Sequence, residues 1–216
     1  MAHDVDLALH AQKLTLREAW EVEAGALAED RLPEMQEFIR REAPLRHGAR
    51  ELLDLLRDHR IPTTVLSGGL DAFIRPVLER EGLDLPVLSE TAHRGPDGRL
   101  VIEHPFGHPT CRICGICKAR AVERAPHQAR TVFLGDGSTD RYGAEVADIV
   151  FARHRLLKVC HDARIPCYAF DDFPPVVDQM RAWLERGDPL PPLRARGNAA
   201  SACPISQALA AGAQTS

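Results

Sequence analysis

FLGDGSTD, residues 133–140, is an apolar strand followed by a glycine-rich turn that carries two aspartates. The strand predicts that Asp136 lies at its carboxyl end, the edge where open α/β sheets bind ligands. Gly135 and Gly137 permit a tight turn there, and Asp140 follows at the start of the next helix. Two carboxylates at such an edge suit Mg²⁺, which binds through one or two carboxylates with water and phosphate oxygens. The alternative is structural, with Asp136 as a turn residue and Asp140 as a helix cap.

Around this stretch, short apolar strands alternate with helices. The strands lie in the segments TTVLSGG, PVLSE, RTVFLGDG, DIVFA and PCYAF. This alternation predicts an α/β fold with a buried parallel sheet covered on both faces. Residues 13–30 and 33–43 are rich in helix formers and predict two helices of a small module, and residues 92–104 predict a hairpin. The segment 188–216 is rich in Pro, Ala, Ser and Gly and is predicted to be a disordered tail.

Two further features could bind phosphate. In VLSGG, residues 65–69, a strand ends in Ser67 and two glycines precede a helix. Backbone N–H groups beside a hydroxyl at such a turn bind phosphate well, although an ordinary turn capped by Ser67 has the same sequence. Lys118 stands at the start of a predicted helix and could reach a phosphoryl group as a point charge, or lie on the surface as a solvated lysine.

Three of the six cysteines, Cys111, Cys114 and Cys117, follow one another at a spacing of three residues. The spacing favours a reduced thiol cluster over a disulfide scaffold. Zinc is the alternative, but three ligands at such short steps would be strained around one ion and no second Cys-x-x-Cys pair exists. The thiols predict a reducing compartment, and hence a cytoplasmic protein.

Composition excludes several classes of protein. The chain has 216 residues, with 27 Lys and Arg against 31 Asp and Glu, a formal net charge of −4. A mildly acidic chain is unsuited to sequence-independent binding of nucleic acid. No run of about 18 apolar residues is present, so no membrane span is expected.

Ser67, Lys118 and the aspartates of GDGSTD, in that order, resemble the motifs of the haloacid dehalogenase superfamily of Mg²⁺-dependent phosphotransferases. The resemblance covers roughly residues 45–187, and GDGSTDRYGAEVAD is its most specific part. It is nearest to the phosphoserine-phosphatase-like branch, where the 2-hydroxy-3-keto-5-methylthiopentenyl-1-phosphate phosphatases carry a similar cysteine-rich segment before the lysine. It implies a Rossmann-like core over residues 44–187 and a partial helical cap over residues 1–43.

The chain departs from this superfamily at its start. Members begin with an apolar strand ending in Asp-x-Asp-Gly-Thr, whose first aspartate is the nucleophile and whose second is the general acid and base. Here the only such pair, Asp4-Val5-Asp6, follows three residues and precedes Leu7-Ala8. We therefore expect that the nucleophile motif and the first, central strand are missing upstream, which leaves a gap in the sheet or a chain that folds poorly alone.

The resemblance implies a phosphatase that hydrolyses a small phosphorylated metabolite and binds neither nucleic acid nor membrane. Asp136 and Asp140 would hold Mg²⁺, while Ser67, the Gly68 backbone and Lys118 would bind the phosphoryl group. Without the nucleophile the chain is expected to be inactive or weakly active. The alternatives are a non-catalytic relative that binds phosphorylated ligands or a protein partner, and a zinc-stabilised structural module.

Overall fold

The computed structural model describes residues 14–25, 31–126 and 128–192. These residues form two compact units. The first unit holds the described residues up to Leu45 together with Thr63–Cys117, and the second holds Arg46–Pro62 together with the described residues from Lys118 onward. Asp4 and Asp6, and the tail from residue 193, lie outside the described residues.

The elements alternate along the chain as the sequence predicts. The helices are α1 (Leu16–Gly25), α2 (Leu32–Glu42), α3 (Ala49–Asp58), α4 (Asp71–Arg80), α5 (Lys118–Glu123), α6 (Arg141–Val146), α7 (His154–Asp162) and α8 (Pro174–Leu184). The strands are β1 (Val65–Leu70), β2 (Val87–Arg94), β3 (Leu100–Glu103), β4 (Val132–Gly135), β5 (Ile149–Ala152) and β6 (Tyr168–Ala169).

The first unit contains a three-stranded sheet in the order β1–β2–β3. β1 pairs with β2 in parallel, and the predicted hairpin appears as the antiparallel pairing of β2 with β3. β2 is longer than the predicted strand PVLSE, because it continues through Arg94 to pair with β3. Helix α4 packs against β1 and β2, and α1 packs against β3.

The second unit contains a parallel sheet in the order β4–β5–β6. All four residues of the central strand β5 are buried, which explains its uninterrupted apolar sequence IVFA. Residue pairing places Gly135 beside Ala152, so β4 and β5 end at the same level. Asp136 and Arg153, the residues that follow them, therefore lie at the same edge of this sheet.

The core of the second unit forms where α3 and α8 pack together beside β5. Leu52, Leu55 and Leu56 recur at helical spacing on α3 and are all buried. They join a cluster that includes Phe151 and Trp183. Burying a side chain of this size contributes about 1.5–3 kcal/mol, so this core fixes the sheet edge on which Asp136 lies.

The predicted α/β class with parallel strand pairs is confirmed. The described strands form two three-stranded sheets, one of them mixed, whereas the sequence predicts one parallel sheet with its central strand absent. The assignment of residues 1–43 to a cap, 44–187 to a core and 188–216 to a tail stays a prediction. No helix in the described ranges is both long and apolar enough to cross a membrane.

Candidate active site

The loop after β4 is organised by the carboxylate of Asp140. Its Oδ2 accepts hydrogen bonds from the backbone N–H groups of Asp136, at 2.8 Å, and Gly137, at 2.7 Å. Gly135 makes this possible, because a Cβ atom at that position would lie 2.8 Å from the Asp140 carboxyl carbon. The glycine in the sequence GDG is therefore required for the close approach of Asp140.

The other oxygen of Asp140 is bound by Lys118. The ammonium of Lys118, at the start of α5, donates to Oδ1 of Asp140. Both residues are buried, with 9% of Lys118 and 4% of Asp140 exposed. A buried charge requires a partner, so this ion pair fixes the lysine beside the loop. An ammonium has three N–H groups, which leaves Lys118 able to donate to a ligand as well.

The carboxylate of Asp136, in the same loop, is available to bind a ligand. It is exposed, and no side chain that the structure describes forms a hydrogen bond or ion pair with its carboxylate. An oxygen ligand of this kind fits Mg²⁺, which retains several waters and takes one or two protein carboxylates. The structure thus gives the two aspartates different surroundings, with Asp140 engaged on both oxygens and Asp136 free.

The prediction that a strand ends at Ser67 and is followed by a turn is wrong, because β1 of the first unit continues through Gly68 and Gly69 to Leu70, with an irregular register against β2 between Leu66 and Leu70. The Ser67 hydroxyl oxygen accepts a hydrogen bond from the Gly69 N–H at 3.1 Å. The Gly68 carbonyl accepts one from the Trp20 indole, which ties α1 to β1. No described residue accepts the hydrogen of the Ser67 hydroxyl, so Ser67 accepts a hydrogen bond within the strand and still keeps a donor for a ligand.

The cysteine segment, which lies in the described part of the chain, contains no disulfide. Cys111 is buried, whereas Cys114 and Cys117 are half-buried. His108 folds the start of the segment, because its Nδ1 accepts the Cys111 N–H at 3.1 Å. Within the described ranges, no three His, Cys, Asp or Glu side chains are grouped so that they could hold a metal ion.

A buried polar cluster in the first unit was not predicted from the sequence. Glu90 on β2 is fully buried, and its Oε2 lies 2.5 Å from Nδ1 of His104. Burial raises the pKa of Glu90 to about 7, although the positive charge of Arg17 opposes this shift. Burial, and then the same charge of Arg17, lower the pKa of His104. Both shifts favour the neutral forms of the two side chains. A protonated Glu90 beside a neutral His104 is therefore favoured over a carboxylate beside an imidazolium.

We predict a pH-dependent loss of stability that Glu90→Gln abolishes. Because the pKa of Glu90 is about 7 in the fold against 4.5 ordinarily, the folded chain binds more protons than the unfolded chain between these values. Stability contributed by the protonated carboxyl is therefore complete below pH 4.5 and is lost as the pH rises through 7. Because the charge of the carboxylate is partly screened, the expected loss of unfolding free energy is about 2–3 kcal/mol.

Denaturant unfolding at pH 5 and pH 8 measures this effect. The original chain and Glu90→Gln both retain His104, whose lowered pKa makes stability rise with pH. The difference in unfolding free energy between the two proteins therefore isolates the contribution of Glu90. The glutamine variant should gain stability relative to the original chain as the pH rises. Parallel stability curves for the two proteins would show that Glu90 titrates normally.

Sequence reasoning also missed Arg153, which follows β5 and is buried. A signal for it was present, since the first residue after a buried strand lies at the same edge as Asp136. No comparable signal exists for Glu90 or for its partner His104. The predicted roles of Ser67, Gly68, Lys118, Asp136 and Asp140 stay predictions, with Lys118 and Asp140 in direct contact.

The chain is similar to known proteins of one family. The haloacid dehalogenase-like hydrolase family matches residues 3–145. The chain is similar to 2-hydroxy-3-keto-5-methylthiopentenyl-1-phosphate phosphatases. That of Geobacillus kaustophilus is 32% identical over 152 residues, covering 68% of both chains. That of Bacillus cytotoxicus is 26% identical over 189 residues, covering 85% of both chains.

Solved structures share the fold of this chain. A phosphoserine phosphohydrolase-like protein from Francisella tularensis matches with a TM-score of 0.60 and 16% identity, over 83% of both chains. A probable phosphoserine phosphatase from Vibrio cholerae matches with a TM-score of 0.61 and 19% identity, over 86% of this chain and 57% of the other. The chain therefore belongs to the haloacid dehalogenase-like hydrolase family, among relatives that are phosphatases.

Proposed function

We propose that the chain is a Mg²⁺-dependent phosphatase that hydrolyses a small phosphomonoester. The observation that carries the proposal is the loop after β4, where a free, exposed Asp136 adjoins the buried pair of Lys118 and Asp140. The relatives named as 2-hydroxy-3-keto-5-methylthiopentenyl-1-phosphate phosphatases support a small phosphorylated metabolite as the substrate. The described cysteines form no disulfide with one another, which supports a cytoplasmic location.

Asp136 and Asp140 have different parts in the proposed metal site. Asp136 is the direct ligand, because its carboxylate is free. Asp140 was expected as a second ligand, but its contacts favour an indirect part, in which it holds the Asp136 backbone and neutralises Lys118. When bound, Mg²⁺ neutralises charge on the phosphoryl oxygens.

The remaining proposed residues bind the phosphoryl group. Lys118, held in place by Asp140, donates to a phosphoryl oxygen and stabilises the charge that spreads over these oxygens in the transition state. The Ser67 hydroxyl, whose hydrogen has no acceptor in the described part of the chain, donates to another oxygen. The backbone at Gly68 follows Ser67 in the same strand and completes this binding. All three residues act by electrostatics and orientation, and none of them supplies the nucleophile.

We further propose that turnover by this chain is slow or absent. A phosphatase of this type needs an aspartate nucleophile, and the chain carries Leu7-Ala8 after Asp4-Val5-Asp6 where Gly-Thr is expected. The same observation favours the second candidate function, a non-catalytic relative that binds phosphorylated ligands. The two candidates share the phosphate-binding residues and differ in turnover.

Asp136→Ala is predicted to remove Mg²⁺ binding without unfolding the protein. The change deletes the one free carboxylate of the loop and leaves the buried pair of Lys118 and Asp140 intact. Calorimetry should show Mg²⁺ binding to the original chain and at least a tenfold weaker affinity for the variant, with an unchanged Tm. Asp162→Ala, which removes an exposed aspartate paired with Lys158, is the matched control and should bind Mg²⁺ normally.

The same proteins decide between the candidate functions in an assay with phosphomonoesters, with Mg²⁺ or with a chelator. Mg²⁺-dependent binding of phosphate without turnover supports the non-catalytic relative. Turnover that both Asp136→Ala and Asp4→Asn abolish establishes the phosphatase and identifies its nucleophile. Neither phosphate binding nor turnover, or full activity in Asp136→Ala, refutes the proposed site.

A further inference from the structure

Arg153 carries a buried charge that no described residue neutralises. Only 6% of the residue is exposed, and its Nε and Nη1 atoms are buried without a hydrogen-bond partner. Its Nη2 donates to Nε2 of His154, and its guanidinium lies 5.9 Å from the centre of the Phe170 ring. An arginine stays charged at any working pH, and buried charges in proteins are paired. The three N–H bonds on Nε and Nη1 therefore lack an acceptor.

The position of Arg153 connects it to the proposed metal ligand. β4 and β5 are parallel neighbours with Gly135 beside Ala152, so Asp136 and Arg153 are the next residues in register. The Arg153 N–H donates to the Gly135 carbonyl at 3.1 Å, and the Leu156 N–H donates to the Asp136 carbonyl at 3.0 Å. Neighbouring strands lie about 5 Å apart, so the backbones of Asp136 and Arg153 are fixed at roughly that separation.

We propose that Arg153 determines substrate specificity by binding a carboxylate that the substrate carries within a few bonds of its phosphoryl group. The inference rests on the proposed function, because it places the phosphoryl group at the Asp136 loop. The separation of the two strands limits the distance between the two groups of the substrate. Charge complementarity favours an anionic oxygen, because hydrogen bonds between a guanidinium and an anion are the strong ones.

His154 provides an acceptor that a ligand can replace. Because an arginine only donates hydrogen bonds, Nε2 of His154 must accept from Arg153, which places the imidazole proton on Nδ1. His154 is exposed, so its side chain can turn into solvent without losing a buried environment. An oxyanion that enters takes its place at Nη2 and also meets the unpaired Nε or Nη1.

Two probes of similar size test the proposal. Phosphoglycolate carries a carboxylate next to its phosphate ester, whereas ethyl phosphate carries a methyl group there. Calorimetry with the full chain and Mg²⁺ should show at least tenfold tighter binding of phosphoglycolate. Arg153→Met should reduce the affinity for phosphoglycolate to that for ethyl phosphate and leave ethyl phosphate unchanged. Arg153→Lys, which keeps the charge, should retain part of the preference.

Arg181→Met is the matched control, because Arg181 is an arginine of the second unit that already pairs with Glu51. It should keep the preference for phosphoglycolate, and if it loses the preference as Arg153→Met does, general charge attraction explains the binding. Stability gives a second readout. A binding role predicts that Arg153→Met leaves the Tm unchanged or higher, since the variant no longer buries an unpaired charge, whereas a structural role predicts a lower Tm.

The outcomes separate this inference from the proposed function. If the original chain binds both probes equally, or if Arg153→Met keeps the preference, Arg153 does not recognise the substrate although the phosphatase site stands. If the original chain binds neither probe, the phosphatase site fails and this inference fails with it. A lower Tm for Arg153→Met with an unchanged preference assigns Arg153 to the fold alone.

Discussion

Replacing Asp140 by alanine is expected to destabilise the protein by about 3–5 kcal/mol, because it leaves Lys118 as an unpaired buried charge. It also removes the acceptor for the N–H groups of Asp136 and Gly137. Such a loss is a large part of the stability of a domain. Chemical denaturation of the original chain and of Asp140→Ala measures it directly.

Lys118→Met is expected to cost less than Asp140→Ala. The methionine fills the space of the lysine stem without a charge, and Asp140 keeps both of its backbone hydrogen bonds. The double variant should be less destabilised than the sum of the two single changes, with a coupling of about 1–3 kcal/mol. Equal costs for the two single variants would show that Asp140 acts only as the partner of Lys118.

The pair Lys158–Asp162 is a control of the same chemistry. Its atoms lie 2.7 Å apart, but both side chains are exposed on α7. Solvent screens such a pair, so the same double-mutant cycle should give a far smaller coupling there. Similar couplings in the two pairs would mean that burial of Lys118 and Asp140 does not strengthen their interaction.

Asp140→Ala and Asp136→Ala should therefore fail in different ways. The first is expected to lose stability, and the second is expected to lose Mg²⁺ affinity at unchanged stability. This contrast distinguishes a residue that holds the loop from a residue that binds the ligand. If Asp140→Ala stays folded and loses Mg²⁺ affinity as completely as Asp136→Ala, Asp140 is a direct ligand, as the sequence alone suggested.

The sequence is informative where function depends on local order along the chain. The run FLGDGSTD predicts a strand, a tight turn and two acidic residues, and the structure places β4 and the loop of Asp136 there. The alternation of apolar and helical segments likewise predicts the α/β class, since each strand and helix needs only its own pattern of residues.

The sequence is silent where function depends on which distant segments meet. It cannot show that Asp140 uses both carboxylate oxygens inside the fold, because this depends on where Lys118 lies. It gives no sign of the contact between Glu90, on β2, and His104, which follows β3. It also cannot show that Arg153 lacks an acceptor among the described residues, because this depends on the side chains that surround Arg153 in the fold and not on the residues next to it in the sequence.

Gly115→Ala is expected to destabilise the protein by more than about 4 kcal/mol, which is among the largest effects of a single substitution. An added Cβ atom at Gly115 would lie 1.7 Å from Oε1 and 2.4 Å from the carboxyl carbon of Glu90. Glu90 is fully buried and its other oxygen is held by His104, so the carboxylate cannot move aside cheaply. Thermal unfolding and denaturant titration measure the loss.

A second substitution separates this clash from a general need for glycine at the position. Glu90→Ala removes the carboxylate, so Gly115→Ala should cost far less in that background than in the original chain. Gly82→Ala is the control, because nothing lies within 4 Å of an added Cβ there and only its positive φ of 63° opposes the change, at about 1–2 kcal/mol. If Gly115→Ala costs the same with and without the Glu90 side chain, the carboxylate does not occupy the space beside Gly115, and the pH dependence predicted for Glu90 loses its structural cause.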